Sequence, residues 1–253
     1  MADQPVDPDR PPVGVPPWLQ TLVQAVSTLE PPRLPEAVGA VRESAVLMLL
    51  GDGPDGPDLL LIERAGDLRA HAGQPAFPGG AVDPGDADPA AAALREAAEE
   101  VAVDPAAVEV VGAFPRLFIP VSGYAVTPVL GWWTRPAPVR VVDRAEVARV
   151  ERVPVAELAD PTHRCRVRHP SGRMGPGFDV RDMLVWGFTA GLIDRLLELG
   201  GWARPWRPGP VRPLPPEQVE LAARGVPSSG LTPGGAGAGT VDDGTGREEP
   251  DAD

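Results

Sequence analysis

The stretch G80-A-V-D-P-G-D86-A-D-P-A-A-A-A-L-R95-E96-A-A-E99-E100-V-A-V103 decides the reading of this chain. Asp88 followed by Pro89 is an N-cap with proline at the first helical position, so a helix is predicted from about Pro89 to Val101, ending before Pro105. On it Glu96, Glu99 and Glu100 stand at i, i+3 and i+4 and share one face, while Ala93, Leu94, Ala97, Ala98 and Val101 mark the other. Three carboxylates this close repel one another unless a hard dication sits among them, and Mg²⁺ and Mn²⁺ take carboxylate oxygens. Glu-rich helix faces are often merely solvated. Against that reading stand Gly79-Gly80, where backbone must approach something closely. Arg95, four residues before Glu99, can hold that glutamate in place. Glu96, Glu99 and Glu100 are therefore the predicted metal ligands.

The order Gly80 … Arg95-Glu96-x-x-Glu99-Glu100 resembles the Nudix box, whose usual form is G-x5-E-x7-R-E-U-x-E-E-x-G-U, with U apolar. Three positions depart from it. The first acidic residue is Asp86, eight residues separate it from Arg95, and Ala102 replaces the final glycine. The preceding stretch, L59-L-L-I-E-R64-A-G-D-L-R69-A-H71-A-G73-Q-P-A-F77-P78-G79-G80, resembles the signature of the coenzyme A pyrophosphatase branch: an apolar strand, two arginines, H-x-G, then F-P-G-G. V121-S-G-Y-A-V-T-P-V-L-G131 and W186-G-F-T189 look like the same branch, as do Asp86 and the longer loop after it. The resemblance covers about residues 36–200.

It implies an α/β protein of the Nudix fold: an α/β/α sandwich around a mixed β-sheet, with a catalytic loop-helix-loop. It implies a Mg²⁺- or Mn²⁺-dependent hydrolase of coenzyme A or acyl-coenzyme A, yielding phosphopantetheine (or its acyl form) and adenosine 3′,5′-bisphosphate. The alternative is another nucleoside diphosphate substrate, such as ADP-ribose or a dinucleotide. A non-catalytic module is disfavoured by the intact glutamates and Arg95. The candidate catalytic residues are Glu99, Arg95 and Glu146, the last of which also reads as a loop charge before a strand. Arg95 orients Glu99 rather than touching substrate. Water activation falls to the metals or to a carboxylate off the helix, Glu146 first and Glu151 second. Arg64 and Arg69 suit the diphosphate or a ribose 3′-phosphate, since a guanidinium pairs bidentately with phosphate. His71 is expected on a phosphate oxygen or a loop carbonyl, with Gly79 and Gly80 beneath the substrate. Phe77 is expected under the loop. Tyr124, the only tyrosine, is expected in the core, with stacking on adenine as the alternative.

Composition narrows the rest. The net charge of −13, with no lysine among the basic residues, argues against a nucleic-acid-coating protein. Abundant Ala, Pro and Gly, with arginine as the only basic residue besides histidine, read as GC-rich bacterial coding. Cys165 is the single cysteine, so no intrachain disulfide forms. Arg164 and Arg166 beside it would favour a thiolate, but a bystander thiol on a strand is the plainer reading. His163 and His169 lack zinc-ligand spacing. No signal peptide or membrane-spanning run is read, and a cytoplasmic enzyme is expected, with a homodimer possible. Residues 1–35 are expected to be an extension with a short helix at Trp18–Leu29, and residues 36–202 the catalytic domain. Residues 203–253, dense in Pro and Gly, are expected to be a disordered tail that catalysis does not need. Strands are predicted at Ser44–Leu50, Asp58–Arg64, Val108–Phe114, Gly123–Thr134 and Val147–Val153. A hairpin is predicted over Arg164–His169 and Gly177–Val180, and a closing helix over Asp182–Leu199.

Overall fold

The computed structural model describes residues 14–30, 42–66, 73–119, 123–169, 172–207 and 211–214, with 216 and 219. Its centre is a mixed sheet. Strands β1 (Arg42–Gly53) and β2 (Gly56–Arg64) form a hairpin closed by Pro54-Asp55, with Gly53 opposite Gly56. β7 (Tyr124–Trp133) runs parallel to β1, and β5 (Val108–Ala113) lies antiparallel beyond it. β8 (Val147–Pro154) pairs with β2. Three short strands complete the sheet: β3 (Pro75–Ala76) on β2, β4 (Gly79–Ala81) on β1 and β6 (Leu117–Ile119) on β7.

Alternation along the strands sorts side chains to two faces. Ala45, Leu47, Leu49, Leu60 and Ile62 pack against Ala92, Ala93, Ala97 and Val101 of helix α2 (Pro89–Val101). Met48, Leu50, Leu59 and Leu61 pack on the other side, against α1 (Pro17–Ser27) and α4 (Gly187–Leu199) through Leu19, Leu22, Ile193 and Leu196. The helix–sheet–helix sandwich expected from the sequence is therefore present. The helix of the N-terminal extension belongs to the core, with Leu19 and Leu22 fully buried.

The closing helix is shorter than its predicted span. Arg181 and Asp182 both adopt positive φ (51° and 57°), making a tight turn that pairs Val180 with Met183. Met183–Val185 is thus a strand, β11, and the helix starts at Gly187. β11 joins β10 (Met174–Val180) and β9 (Arg164–Arg168) in a second sheet. Met174, Gly175 and Pro176, expected in the connecting loop, are strand residues facing Arg168, Val167 and Arg166. A short helix, α3 (Val155–Leu158), links β8 to this sheet.

The folded unit continues past residue 202. Val211–Arg212 forms β12, parallel to β9. Trp206 lies over the Arg164 guanidinium, 4.8 Å from ring centre to Cζ, and Leu214 is buried with Cys165, Val167 and Trp186. The first part of the segment expected to be disordered therefore packs on the domain. Among the described residues, no helix is long and apolar enough to cross a membrane.

Candidate active site

Helix α2 begins where the sequence places it. The Asp88 side chain accepts a hydrogen bond from the Ala91 amide at 2.8 Å, and Pro89 supplies the first turn. It ends at Ala102, whose φ of 61° and ψ of 32° are left-handed. This is the position where the box usually has glycine, so Ala102 carries a Cβ in a conformation that disfavours one. The stop comes from this cap, three residues before Pro105.

Arg95 organises the outer part of the site. Its Nε and Nη2 grip Asp86 at 3.1 and 3.0 Å, Nη1 donates to Glu96 at 2.9 Å and to Glu99 at 3.2 Å, and Nη2 also reaches the Ala81 carbonyl at 3.1 Å. The expected hold on Glu99 is present, but the bidentate partner is Asp86. This bond holds the Asp86 carboxyl below its usual range. The sequence showed Asp86 as a departure from the box that fits the branch, but not as the partner of Arg95.

Glu100 points inward and is 2% exposed. Its Oε2 accepts from the Gly79 amide at 3.1 Å, while Oε1 is buried with no hydrogen-bond partner. Burial pushes its pKa up to about 7, against the pull of that amide and of Arg64. Burial also raises Glu96, whose main opposing influence is Arg95. Gly80 lies directly against the Glu96 carboxylate, and Gly79, at φ 154°, against the Ala45 carbonyl. Gly80 thus serves Glu96 through close approach, whereas Gly79 lies close against β1 and serves Glu100 through its amide.

Arg64, at the end of β2, stands between two carboxylates: Nη1 is 3.8 Å from Glu100 Oε1 and Nη2 is 3.9 Å from Glu146 Oε2. Glu146 is 48% exposed and close enough to raise both Glu96 and Glu100 electrostatically. Glu151 is different. It pairs across the ladder with Leu61, whose side chain lies on the sheet face away from α2, and it is 3.9 Å from Arg149. The structure thus separates this second base candidate from the glutamate cluster. Arg69 and His71 lie outside the described residues.

Other readings resolve simply. Phe77 is buried in the core below the loop, as expected. Tyr124 is half-buried rather than a core residue, and the Arg42 guanidinium sits 4.2 Å above its ring. His163 Nδ1 is 2.8 Å from the Asp179 carbonyl. Burial raises the Cys165 thiol, outweighing its arginine neighbours, so it is a buried bystander.

As they stand, no three His, Cys, Asp or Glu side chains among the described residues converge on a point suited to a metal ion. Guanidinium groups lie among the oxygens instead. The donor set still fits a hard dication. It is all carboxylate, it includes one buried oxygen without a partner, and Gly80 leaves room at Glu96.

The chain is similar to several known proteins. A NUDIX domain profile matches residues 41–170. The protein named "Uncharacterized Nudix hydrolase NudL" in Escherichia coli (strain K12) is 46% identical over 167 residues, spanning 63% of this chain and 83% of its own length. NudL of Shigella boydii serotype 4 (strain Sb227) matches to the same extent. Among solved structures, a Nudix hydrolase from Alicyclobacillus acidocaldarius aligns at 20% identity and TM-score 0.44, covering 64% of this chain and 93% of its own. RenU, a Nudix hydrolase from M. smegmatis, aligns at 20% identity and TM-score 0.42, over 63% and 85% of the two chains. With the mixed-sheet sandwich and the glutamate-bearing loop and helix, the match over residues 41–170 shows that this chain belongs to the Nudix family of pyrophosphohydrolases.

Proposed function

We propose that the chain hydrolyses the diphosphate bond of coenzyme A or an acyl-coenzyme A, releasing (acyl-)phosphopantetheine and adenosine 3′,5′-bisphosphate. One observation carries the reading. The segment that resembles the coenzyme A branch, residues 59–80, is joined to the glutamate cluster: the Gly79 amide bonds Glu100, Gly80 abuts Glu96, and Arg64 lies beside Glu100. The part of the sequence that resembles that branch is thus in contact with the glutamates of the box.

Nudix hydrolases as a family use divalent ions such as Mg²⁺ or Mn²⁺, and here Glu96, Glu99 and Glu100 would hold them. Such ions neutralise the phosphates and acidify the attacking water. Arg95 keeps Glu96 and Glu99 on the same side of the helix and ties them to Asp86. A Glu146 carboxylate oxygen takes the proton as water adds to phosphorus, and the bridging P–O bond breaks to give the second phosphate ester. Arg64, Arg69 and His71 bind the diphosphate or the ribose 3′-phosphate, and Gly79 and Gly80 keep the backbone low beneath them.

The test is a substrate panel. The protein is incubated with Mg²⁺ or Mn²⁺ and coenzyme A, acyl-coenzyme A, ADP-ribose or NADH, and the products are identified by mass. Adenosine 3′,5′-bisphosphate is expected from the first two. Faster turnover of ADP-ribose or NADH would replace the coenzyme A assignment with the broader one. A preference for coenzyme A over its 3′-dephospho form of about 10- to 150-fold would mark an arginine reading the 3′-phosphate. Equal rates would reject that contact.

A further inference from the structure

Two arginines enter the glutamate cluster, and they are held differently. Arg95 is fixed by five side-chain hydrogen bonds to Asp86, Glu96, Glu99 and the Ala81 carbonyl. The Arg64 backbone is fixed as firmly, its amide donating to the Gln74 carbonyl at 3.1 Å and its carbonyl accepting from Gly73 at 3.0 Å. Its guanidinium is not. Among the described residues it meets Glu100 and Glu146 at 3.8 and 3.9 Å, by charge and beyond hydrogen-bond length. The oxygen it faces on Glu100 is the buried one that lacks a partner.

That arrangement has an electrostatic reason. Glu100 is buried with one oxygen unpartnered, and Arg64 lies 3.8 Å from that oxygen and 3.9 Å from Glu146, so several carboxylates crowd a poorly solvated space. A cluster of that sign needs a cation at its centre in any state. A guanidinium on an anchored backbone can supply the charge loosely and withdraw without breaking a hydrogen bond.

We propose that Arg64 is the resident counter-ion of the metal-free cluster: it holds Glu100 and Glu146 together until a divalent ion takes its place, and is then released toward the substrate diphosphate. Arg64 is on this account a positioning residue whose charge competes with the metal. The inference rests on the reading of the chain as a metal-dependent diphosphate hydrolase.

The experiment uses the full chain without nucleotide. Mn²⁺ binding is measured by the electron paramagnetic resonance signal of the free ion, for the unmutated protein, Arg64→Gln and Arg64→Lys. Arg64→Gln is expected to bind Mn²⁺ about tenfold more tightly, because a competing positive charge is gone. Without metal it melts at a lower temperature than the unmutated protein, and saturating Mn²⁺ removes that difference. Arg64→Lys keeps the charge and stays within about twofold of the unmutated affinity. Unchanged or weaker Mn²⁺ binding by Arg64→Gln overturns the proposal. So does tenfold tighter binding by Arg64→Lys, a result available even if the glutamine variant does not fold. Coenzyme A hydrolysis by the unmutated protein tests the functional reading separately, so either can fail alone.

Discussion

The Glu96 carboxylate fills the space that a side chain on Gly80 would need: a Cβ there would fall 2.4 Å from Glu96 Oε1. At the neighbouring Gly79, with φ at 154°, a Cβ would fall 2.3 Å from the Ala45 carbonyl oxygen, part of β1. One glycine therefore meets the mobile end of a side chain, and the other meets fixed backbone.

Substitution should separate the two. Gly80→Ala is expected to lose about 10- to 100-fold in turnover, roughly 1.4–2.7 kcal/mol of barrier, with a melting temperature close to normal. Gly79→Ala should lose about 2–4 kcal/mol of stability, because neither β1 nor the conformation can yield. Equal melting temperatures for the two variants would contradict the assignment.

Glu100→Gln preserves size and can still accept from the Gly79 amide. Turnover should fall by about 100-fold at saturating Mg²⁺, near 2.7 kcal/mol. The same variant reports on the pH dependence of the metal-free protein. The folded Glu100 titrates at about 7, above the ordinary glutamate value. The native state therefore holds an extra proton between that value and 7. Stability is fully present below the unfolded pKa and is lost as pH rises through about 7, by roughly 1–3 kcal/mol. Urea unfolding of metal-free protein at pH 5 and pH 8 should show this fall, and Glu100→Gln should flatten it.

Ala102→Gly should stabilise the protein by about 1 kcal/mol, since the residue already sits at φ 61°. The usual entropic penalty of glycine is smaller here than the relief of the left-handed alanine. A urea midpoint that does not rise would count against this reading.

Truncation distinguishes the described C-terminal contacts from the rest of the tail. Ending the chain after Trp202 removes the Trp206–Arg164 stack, β12 and buried Leu214, and should cost about 2–4 kcal/mol. Ending it after Val219 should leave the thermal midpoint and turnover unchanged. If the shorter chain melts like the longer one, the contacts made by residues 206–214 contribute nothing.

Local signals carried furthest. Asp88-Pro89 set the start of α2 because a cap and a proline act within one turn of chain, and the apolar run Ala45–Leu50 marked a strand whose alternate residues the structure sends to the two faces of the sheet. The glutamates followed from helical spacing. What required the fold was anything joined across distance. Glu146 and Glu151 are five residues apart, yet the ladder with β2 sends Glu151 to the opposite face. The turn at Arg181-Asp182 lacks the glycine or asparagine that usually marks positive φ, so an apolar run that is partly strand reads as continuous helix. Leu214 looked like one more residue of a proline-rich tail because its partners, Cys165, Val167 and Trp186, lie far back in the chain.

β12 has a consequence for biosynthesis. It is the last paired strand in chain order among the described residues, and it closes one edge of a sheet whose other strands are finished by Val185. A nascent chain halted before Val211 carries β9 as an open edge, the kind of surface that recruits other strands. Cys165, the single thiol and a buried one, lies under that cover. A chain cut before Val211 is therefore expected to expose Cys165 to a maleimide faster than the full chain does.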